Sequence, residues 1–313
     1  MNLGRAPQPI PYQGSKRQQV PVILRYLPKG TATLWEPFVG SGAATIGAAL
    51  SKAAENYVLG DKLEPLVGVW GQILNEPHAL CDEYEAIWTA QLTDPRRHFD
   101  EVRGRYNTEH RPAQLLYLIA RCVKNAIRFN SEGHFNQSPD NRRLGMKPAV
   151  LRERVTQVHR LLAGRAQAVH ADYSEALRQA SSADVVYMDP PYLGVSGTRD
   201  ARYIQGLDYE RFLTELSDAN QRGVSYMVSF DGRCGERTYG PALPSHLELE
   251  KIDVHVGRSS QATLNGRSEE TVESLYLSPA LVQRLTNQGL SVVHTTSVKQ
   301  KAATAAQLPM FAA

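Results

Sequence analysis

SADVVYMDPPY, residues 182–192, is a Val-rich apolar run that lies between an aspartate and a double proline. This pattern predicts a buried strand that stops abruptly and presents Asp189, Pro190, Pro191 and Tyr192 at its carboxyl end. Open α/β sheets bind their ligands at that edge. Asp189 and the carbonyl of Pro190 can accept hydrogen bonds from an exocyclic amine, and the Tyr192 ring can stack on a flat heterocycle. A strand followed by a Pro-Pro turn and a capping aspartate would show the same pattern, so the rest of the chain must decide between the two.

The composition is that of a globular chain. It has 313 residues, 42% hydrophobic and 21% charged, enough for one large domain or two smaller ones. Its cysteines, Cys81, Cys122 and Cys234, are odd in number and far apart, which argues against a disulfide framework or a cysteine metal site, and no metal is predicted. The N-terminus has no apolar signal segment, and the apolar stretch at residues 115–123 is too short to cross a bilayer. We therefore expect a cytoplasmic protein without a membrane role.

The net charge of +3 is unevenly distributed along the chain. Residues 91–165 contain fifteen Lys or Arg and seven Asp or Glu, a local charge of +8, so the remainder carries −5. A basic segment in a mildly acidic chain is the electrostatic footprint of a polyanion-binding module, although a solvated helical surface has the same composition. Within this segment, Arg121, Lys124 and Arg128 are expected to keep one side of an apolar helix polar and basic.

The N-terminal part of the chain predicts a nucleoside site. TLWEPFVGSG, residues 33–42, predicts a strand and a glycine turn, and the small residues that follow predict a helix packed closely on the sheet. Gly40 and Gly42 would let the backbone approach a ligand. A second strand, residues 56–60, ends in Asp61, at the spacing where a carboxylate can bind ribose hydroxyls. Strand, glycine turn, helix, strand and acid together predict a nucleoside-binding βαβ unit.

The C-terminal part supplies further strands and a tail. Residues 168–173 predict a strand that ends in Asp172, which is either an acceptor for an adenine amino group or a solvent-exposed turn residue. The pair Asn265-Gly266 predicts a hairpin or short loop at the edge of the sheet. Residues 291–313 are rich in Ala, Thr and Ser, which predicts a flexible tail.

The order of these motifs resembles that of the Dam-like DNA adenine-N6 methyltransferases. The resemblance rests on YQGSK at 12–16, EPFVGSG at 36–42, Asp61, RFN at 128–130, GHFN at 133–136 and DPPY at 189–192. It covers the chain to about residue 278 and implies a doubly wound α/β methyltransferase sheet with an antiparallel C-terminal strand. Residues 1–70 and 166–290 would form a discontinuous catalytic domain, and residues 71–165 would form the helical, basic target-recognition domain between the cofactor and catalytic motifs.

The resemblance also implies S-adenosylmethionine as the cofactor and double-stranded DNA as the substrate. The cofactor would be bound by Tyr12, Lys16, Glu36, Pro37, Phe38, Gly40, Ser41, Gly42, Asp61, Asp172 and Asp189. Asp189, Pro190, Pro191 and Tyr192 would be the catalytic residues, and the DNA contacts would come from Lys124, Asn125, Arg128, Asn130, Arg142, Arg143 and Lys147. The expected location is the cytoplasm, at the nucleoid.

Several alternatives stay open at this point. The same pair of acceptors could bind the amine of cytosine N4 or of an RNA base. A further alternative is a DNA-binding module without catalytic activity. Residues 124–127, KNAI, depart from the family just before Arg128, so GATC is only one candidate target. One chain also leaves open whether the enzyme acts alone or beside a restriction nuclease.

The end of the chain suggests a protein partner. Gln307, Leu308, Met310 and Phe311 form an apolar cluster in a polar tail and resemble the peptide that docks into the bacterial replication sliding clamp. Packing of this tail on its own domain is the alternative. A clamp tether would raise the concentration of the enzyme at newly replicated DNA.

Overall fold

The computed structural model describes residues 6–191, 207–235, 237–258 and 270–298. Within these ranges, one sheet contains nine strands: β1 Thr31–Glu36, β2 Ala54–Asp61, β3 Ala166–His170, β4 Val185–Met188, β5 Tyr226–Cys234, β6 Arg237–Tyr239, β7 Glu250–Arg258, β8 Glu270–Leu277 and β9 Thr295–Ser297. The strand order is β3-β2-β1-β4-β5-β8-β7-β9, and β6 pairs with β5. The first five strands in this order are parallel, whereas β8 is antiparallel to both β5 and β7. The predicted doubly wound sheet with an antiparallel C-terminal strand is confirmed.

Helices cover both faces of this sheet and form the insertion. They are α1 Val20–Arg25, α2 Ala43–Leu50, α3 Glu64–Asn75, α4 Pro77–Ala90, α5 Pro95–Glu109, α6 Pro112–Arg121, α7 Pro148–Leu162, α8 Tyr173–Gln179, α9 Tyr209–Gln221 and α10 Pro279–Asn287. Short 3₁₀ helices lie at Lys16–Gln18, Val123–Asn125 and Ser245–Leu247. No helix in the described ranges combines the length and the apolar character needed to cross a membrane.

Strand β4 is buried on both faces, as its continuous apolar sequence predicts. Val185 and Tyr187 belong to one hydrophobic cluster, and Val186 and Met188 belong to a second cluster on the other face. The strand ends where Pro190 and Pro191 begin, because proline has no N–H group for the ladder. The alternation of side chains then directs residue 189 to the same face as residues 185 and 187.

The strand order reverses between β1 and β4, which are neighbours in the sheet. From β1 the chain continues to β2 and β3 on one side, and from β4 it continues to β5 on the other. Asp184 helps to hold the two strands in register, since its Oδ1 accepts a hydrogen bond from the Thr33 N–H at 2.9 Å. Such a reversal opens a crevice at the carboxyl ends of the strands, which is where ligands bind in this class of fold.

Helices α3 to α7, which lie between β2 and β3 in the chain, share their core with the sheet. Trp70 of α3, Tyr84 of α4 and Tyr117 of α6 are fully buried in the same hydrophobic cluster as Leu34 of β1. Apolar contacts therefore continue from the sheet into the basic segment without a break.

The expectation that Arg121 lies on the polar side of its helix is wrong. Its side chain is buried, with Nε donating to Gln91 Oε1 at 2.9 Å and Nη1 donating to the carbonyl of Asp140. A guanidinium can be buried where its N–H groups find acceptors, and these acceptors come from segments that are distant in sequence. Arg121 thus ties the end of α6 to the loop that follows it.

The C-terminal segment is ordered further than its composition predicts. The structure has Thr295–Ser297 as strand β9, parallel to β7, and the Asp253 N–H donates to the His294 carbonyl at 2.8 Å. The edge of β7 carries backbone groups that need partners, and a short Thr-rich segment satisfies them. The clamp motif at residues 307–311, the pair Asn265-Gly266 and Tyr192 lie outside the described residues, so the hypotheses based on them stay predictions.

Ser278→Ala should destabilise the fold by about 1–3 kcal/mol. The buried Ser278 Oγ accepts from the Tyr226 N–H, donates to the Val224 carbonyl, and caps α10 by accepting from the Leu281 N–H. Denaturant unfolding measures the loss, and exposed Ser291→Ala is the control, expected to stay within about 0.5 kcal/mol of the parent. Equal effects of the two substitutions would contradict this role of Ser278.

Candidate active site

A cavity of about 770 Å³ opens at the carboxyl ends of the central strands. This volume falls within the range of roughly 300–1,000 Å³ typical of small-molecule sites. Most of the predicted cofactor residues line it: Tyr12, Lys16, Glu36, Pro37, Phe38, Gly40, Ser41, Asp61, Asp172 and Asp189. Pro190 and Pro191 line it as well, whereas Gly42, the N-cap residue of α2, is not one of the lining residues.

Four carboxylates reach this cavity from four neighbouring strands. Glu36 is the last residue of β1, Asp61 is the last residue of β2, Asp172 follows β3, and Asp189 follows β4. Because the carboxyl ends of parallel strands meet at one edge of the sheet, acids that are far apart in sequence become neighbours. The sequence predicted each of these acids, and the sheet brings them together.

Burial raises the pKa values of Glu36 and Asp61 above their usual range. Glu36 Oε2 accepts from the Thr45 N–H at 2.8 Å, and burial, aided by the charge of Asp189, raises the pKa of Glu36 to about 7. Asp61 accepts from the N–H groups of Leu63 at 2.9 Å and Gly40 at 3.4 Å. Burial outweighs these hydrogen bonds and raises the pKa of Asp61 to about 6.

The glycine turn has no room for side chains. Gly40 and Gly42 both have positive φ, 44° and 63°. A Cβ atom on Gly42 would lie 2.6 Å from the Trp70 ring, and one on Gly40 would lie 3.1 Å from the Tyr12 ring. Trp70 Nε1 also donates to the Gly40 carbonyl at 3.1 Å, so α3 supports the turn. Sequence analysis missed Trp70, whose position in an apolar helix gives no sign of this contact.

Asp189 is held by an ion pair. Lys16 Nζ lies 3.0 Å from Asp189 Oδ1 and 3.1 Å from Glu273 Oε2. Burial raises the pKa of Asp189 to about 6; Lys16 opposes this rise and Glu273 adds to it. Glu273 was missed by sequence analysis, although a carboxylate within a largely buried strand, β8, is a signal that could have marked it.

Asp172 is also engaged by a residue that the sequence did not indicate. Its Oδ1 accepts from the Ser174 N–H at 3.1 Å, and Arg211 Nη2 lies 2.9 Å from the same oxygen. Burial alone would raise the pKa of Asp172, but the hydrogen bonds from Ser174 and the charge of Arg211 lower it below its usual value. The Arg211 guanidinium lies over the Tyr173 ring, which stacks on Phe38 with centroids 5.6 Å apart. These groups form one wall of the cavity.

The predicted DNA-contacting residues lie in or beside the loop between α6 and α7. Lys124, Arg142, Arg143 and Lys147 are exposed. Arg128 is half-buried, and its Nε is enclosed with no hydrogen-bond partner among the described residues.

The two asparagines of the predicted set have structural partners. Asn125 lines the cavity, and its Nδ2 donates to the Ile119 carbonyl at 2.9 Å, near the end of α6. Asn130 Oδ1 accepts from the N–H groups of Glu132 at 3.0 Å and His134 at 2.9 Å, which shapes a tight turn. Each amide therefore stabilises the loop itself.

Several of the basic side chains in the segment predicted to bind DNA form ion pairs with acids of the same or neighbouring helices. The pairs are Arg96–Asp100, Arg97–Glu101, Arg103–Asp100, Arg111–Glu83 and Arg152 with Asp82 and Glu85. Arg142 and Arg143 share Asp140 but leave 92% and 62% of their side chains exposed. Exposed cations therefore lie on the loop between α6 and α7, beside the cavity, and also on the helices, where Arg97, Arg105 and Arg160 are exposed.

The free energy of unfolding should fall as pH rises from about 4.5 to 7. Glu36, Asp61 and Asp189 have raised pKa values in the folded chain, so the folded state binds more protons than the unfolded state in this window. Glu36→Gln should reduce this dependence of the unfolding free energy on pH, because an amide does not titrate. The amide oxygen can still accept from the Thr45 N–H. Denaturant unfolding at several pH values tests this, with exposed Glu55→Gln as the control; an unchanged slope in Glu36→Gln would contradict it.

Comparison with known proteins agrees with this geometry. Residues 12–234 match the family described as D12 class N6 adenine-specific DNA methyltransferase. The chain is 26% identical over 231 residues to a DNA N-6-adenine-methyltransferase of Escherichia phage P1, a match that covers 71% of this chain and only 29% of the phage protein. It is 27% identical over 230 residues to a DNA adenine methylase of Vibrio cholerae, covering 70% of this chain and 79% of that protein. A Type II methyltransferase of Lactococcus lactis is 25% identical over 279 residues, 85% of this chain and 94% of its own. The chain therefore belongs to the D12 class of N6 adenine-specific DNA methyltransferases.

Proposed function

We propose that this chain transfers a methyl group from S-adenosylmethionine to N6 of an adenine flipped out of duplex DNA. The observation that carries the proposal is the position of Asp189 and Pro190. Both line the same cavity as the glycine turn and Asp61, so an amine acceptor and a nucleoside site share one space.

The cavity suits S-adenosylmethionine chemically. Its lining has more acids, including Glu36 and Asp61, than cations, which favours a positively charged sulfonium compound. Asp61 would bind the ribose hydroxyls, and the Phe38 and Tyr173 rings offer apolar surface for the adenine ring. The buried Tyr173 hydroxyl has no hydrogen-bond partner among the described residues, so a ligand can supply one. When bound, this cofactor supplies an electrophilic methyl group.

The residues after β4 would prepare the adenine amine. An aryl amine is a poor nucleophile because its lone pair is delocalised into the ring. Acceptance of its two N–H groups by Asp189 and the Pro190 carbonyl would favour a pyramidal nitrogen with an available lone pair. Asp189 has a pKa of about 6 and is therefore mostly ionised at neutral pH. Pro191 would stiffen the turn, Tyr192 would stack on the base, and positioning would supply much of the rate gain.

The loop between α6 and α7 would guide the DNA. Its residues Asn125, Ile127 and Phe129 line the cavity, so this loop lies beside the space proposed for the flipped base. Lys124 and Lys147 are exposed and would contact phosphates. Base flipping costs a few kcal/mol, which such backbone contacts can offset.

A product digest tests the proposed function. The purified chain is incubated with duplex DNA and methyl-labelled S-adenosylmethionine, and the nucleosides are separated. We expect labelled N6-methyladenine. Labelled N4-methylcytosine, a product found only with RNA, or DNA binding without any label would each overturn the proposal.

Asp189→Ala should abolish methyl transfer and leave S-adenosylmethionine affinity nearly unchanged, because Asp189 faces the base. Asp61→Ala should weaken cofactor binding roughly tenfold or more, the effect of losing one charge-assisted contact. Calorimetric titration with the cofactor and single-turnover methylation separate the two effects. An equal loss of cofactor affinity in both variants would show that this division of roles is wrong.

Arg128→Ala should relax the sequence preference, because an arginine that binds a guanine is worth about 1–3 kcal/mol of discrimination. Arg142→Ala is the matched control: its exposed guanidinium should contact phosphate, so its loss should weaken binding to all duplexes alike and reduce the salt dependence. Binding to duplexes of varied sequence at several salt concentrations measures both. If Arg128→Ala weakened binding to all duplexes equally, Arg128 would contact the DNA backbone and not a base.

A further inference from the structure

Three charged side chains from distant parts of the chain meet beside the cavity. Lys16 begins the first 3₁₀ helix, Asp189 follows β4, and Glu273 lies on β8. The Lys16 ammonium lies between the two carboxylates at 3.0 and 3.1 Å, and all three side chains are at most 20% exposed. One cation therefore faces two anions in a largely desolvated place, where charges interact strongly.

Sheet geometry makes this meeting possible. Asp189 continues the alternation of Val185 and Tyr187, and Glu273 alternates with Leu275 and Leu277. These four apolar residues belong to one hydrophobic cluster, so both acids point to the same face of the sheet. Strand β5 separates β4 from β8 in the sheet. The Lys16 side chain therefore bridges carboxylates whose strands are not neighbours.

Glu273 is itself held in place. Gln19 is buried, and its Nε2 donates to Glu273 Oε2 at 2.8 Å, the same oxygen that Lys16 approaches. Lys16 and Gln19 lie at the two ends of one 3₁₀ turn, in which the Gln19 N–H donates to the Lys16 carbonyl at 2.8 Å, so one short segment contacts Glu273 twice. Strand β5 pairs Gly232 with Glu273, and a Cβ on Gly232 would lie 3.5 Å from Glu273 Cγ. The Glu273 carboxylate itself is held by Lys16 and Gln19.

We propose that Glu273 is a positioning residue that retains the Lys16 ammonium while the Asp189 carboxylate binds the amine of the substrate base. An N–H group of that amine and the Lys16 ammonium compete for the Asp189 oxygens. With Glu273 present, the charge of Lys16 is shared and Asp189 remains a strong acceptor. Without it, Lys16 would pair with Asp189 alone and weaken it as an acceptor. The part of the proposal that concerns the substrate rests on the proposed function.

The arrangement has an electrostatic consequence that can be measured without substrate. Among the described residues, the charged and titratable groups that interact with Asp189 are Lys16, Glu273, Glu36 and Tyr187. Glu273 raises the pKa of Asp189, and Lys16 lowers it. Glu273→Gln should therefore lower the pKa of Asp189 through two effects of the same sign, the loss of an anion and a closer Lys16. Lys16→Met should raise that pKa.

The first test is a carboxyl NMR titration of cofactor-free protein labelled with ¹³C in its aspartate side chains. Asp189→Asn identifies the signal by its disappearance. We expect the Asp189 midpoint to move to lower pH in Glu273→Gln and to stay unchanged in Glu270→Gln, a matched control on the same strand whose side chain is 56% exposed. An unchanged midpoint in Glu273→Gln would overturn the proposal, whether or not the chain methylates DNA.

The second test is the methylation rate. Glu273→Gln should lower kcat roughly tenfold, the effect of one charge-assisted hydrogen bond, with little change in KM for the cofactor. Glu273→Asp keeps the carboxylate charge and should recover part of kcat. If the role of Glu273 were mainly structural, Glu273→Asp would lower kcat as much as Glu273→Gln. A shifted Asp189 midpoint with an unchanged kcat would overturn the positioning role. Absence of methylation in the wild-type protein would refute the proposed function and leave the titration result standing.

Discussion

The parallel pairing of β1 with β4 is the contact on which the site depends. Leu34 pairs with Val185 and Trp35 with Val186, which joins two segments about 150 residues apart in the chain. The pairing brings Glu36 and Asp189 to one edge of the sheet, and the reversal of strand order there leaves a crevice. Register matters because a slip of one residue would direct Asp189 to the other face of the sheet, away from Lys16.

Crowding acids into this crevice costs stability and has to be balanced. Burial raises the pKa values of Glu36, Asp61 and Asp189, so each resists ionisation in the folded chain. Lys16 offsets part of this cost at Asp189, and Arg211 stabilises the charge of the fourth acid, Asp172. The result is a division of charge that suits the proposed chemistry: an acidic cavity for a cationic cofactor and an amine, and a basic loop beside it for phosphates.

The shared core couples helices α4 and α6 to the glycine turn. Trp70 packs beside Gly42 and donates to the Gly40 carbonyl, while its helix lies in the same hydrophobic cluster as α4 and α6. At the other end of α6, Arg121 and Asn125 anchor the loop that lines the cavity. Packed side chains would therefore transmit a displacement of this loop to the other residues that line the cavity.

The sequence by itself determined the elements whose signals are local. The unbroken apolar run of β4 marked a strand buried on both faces, the turn at Gly40 and Gly42 marked a close backbone approach, and acids at strand ends marked the cavity edge. Tertiary structure alone decided the partners: Glu273 for Lys16, Arg211 for Asp172, Trp70 for the glycine turn, and β7 for the strand at Thr295–Ser297. Gln19 and Glu273 are 254 positions apart, and Asp172 and Arg211 are 39 apart. Periodicity and turn chemistry report on neighbours along the chain, whereas ion pairs and edge pairing depend on which distant groups the folded sheet places within reach.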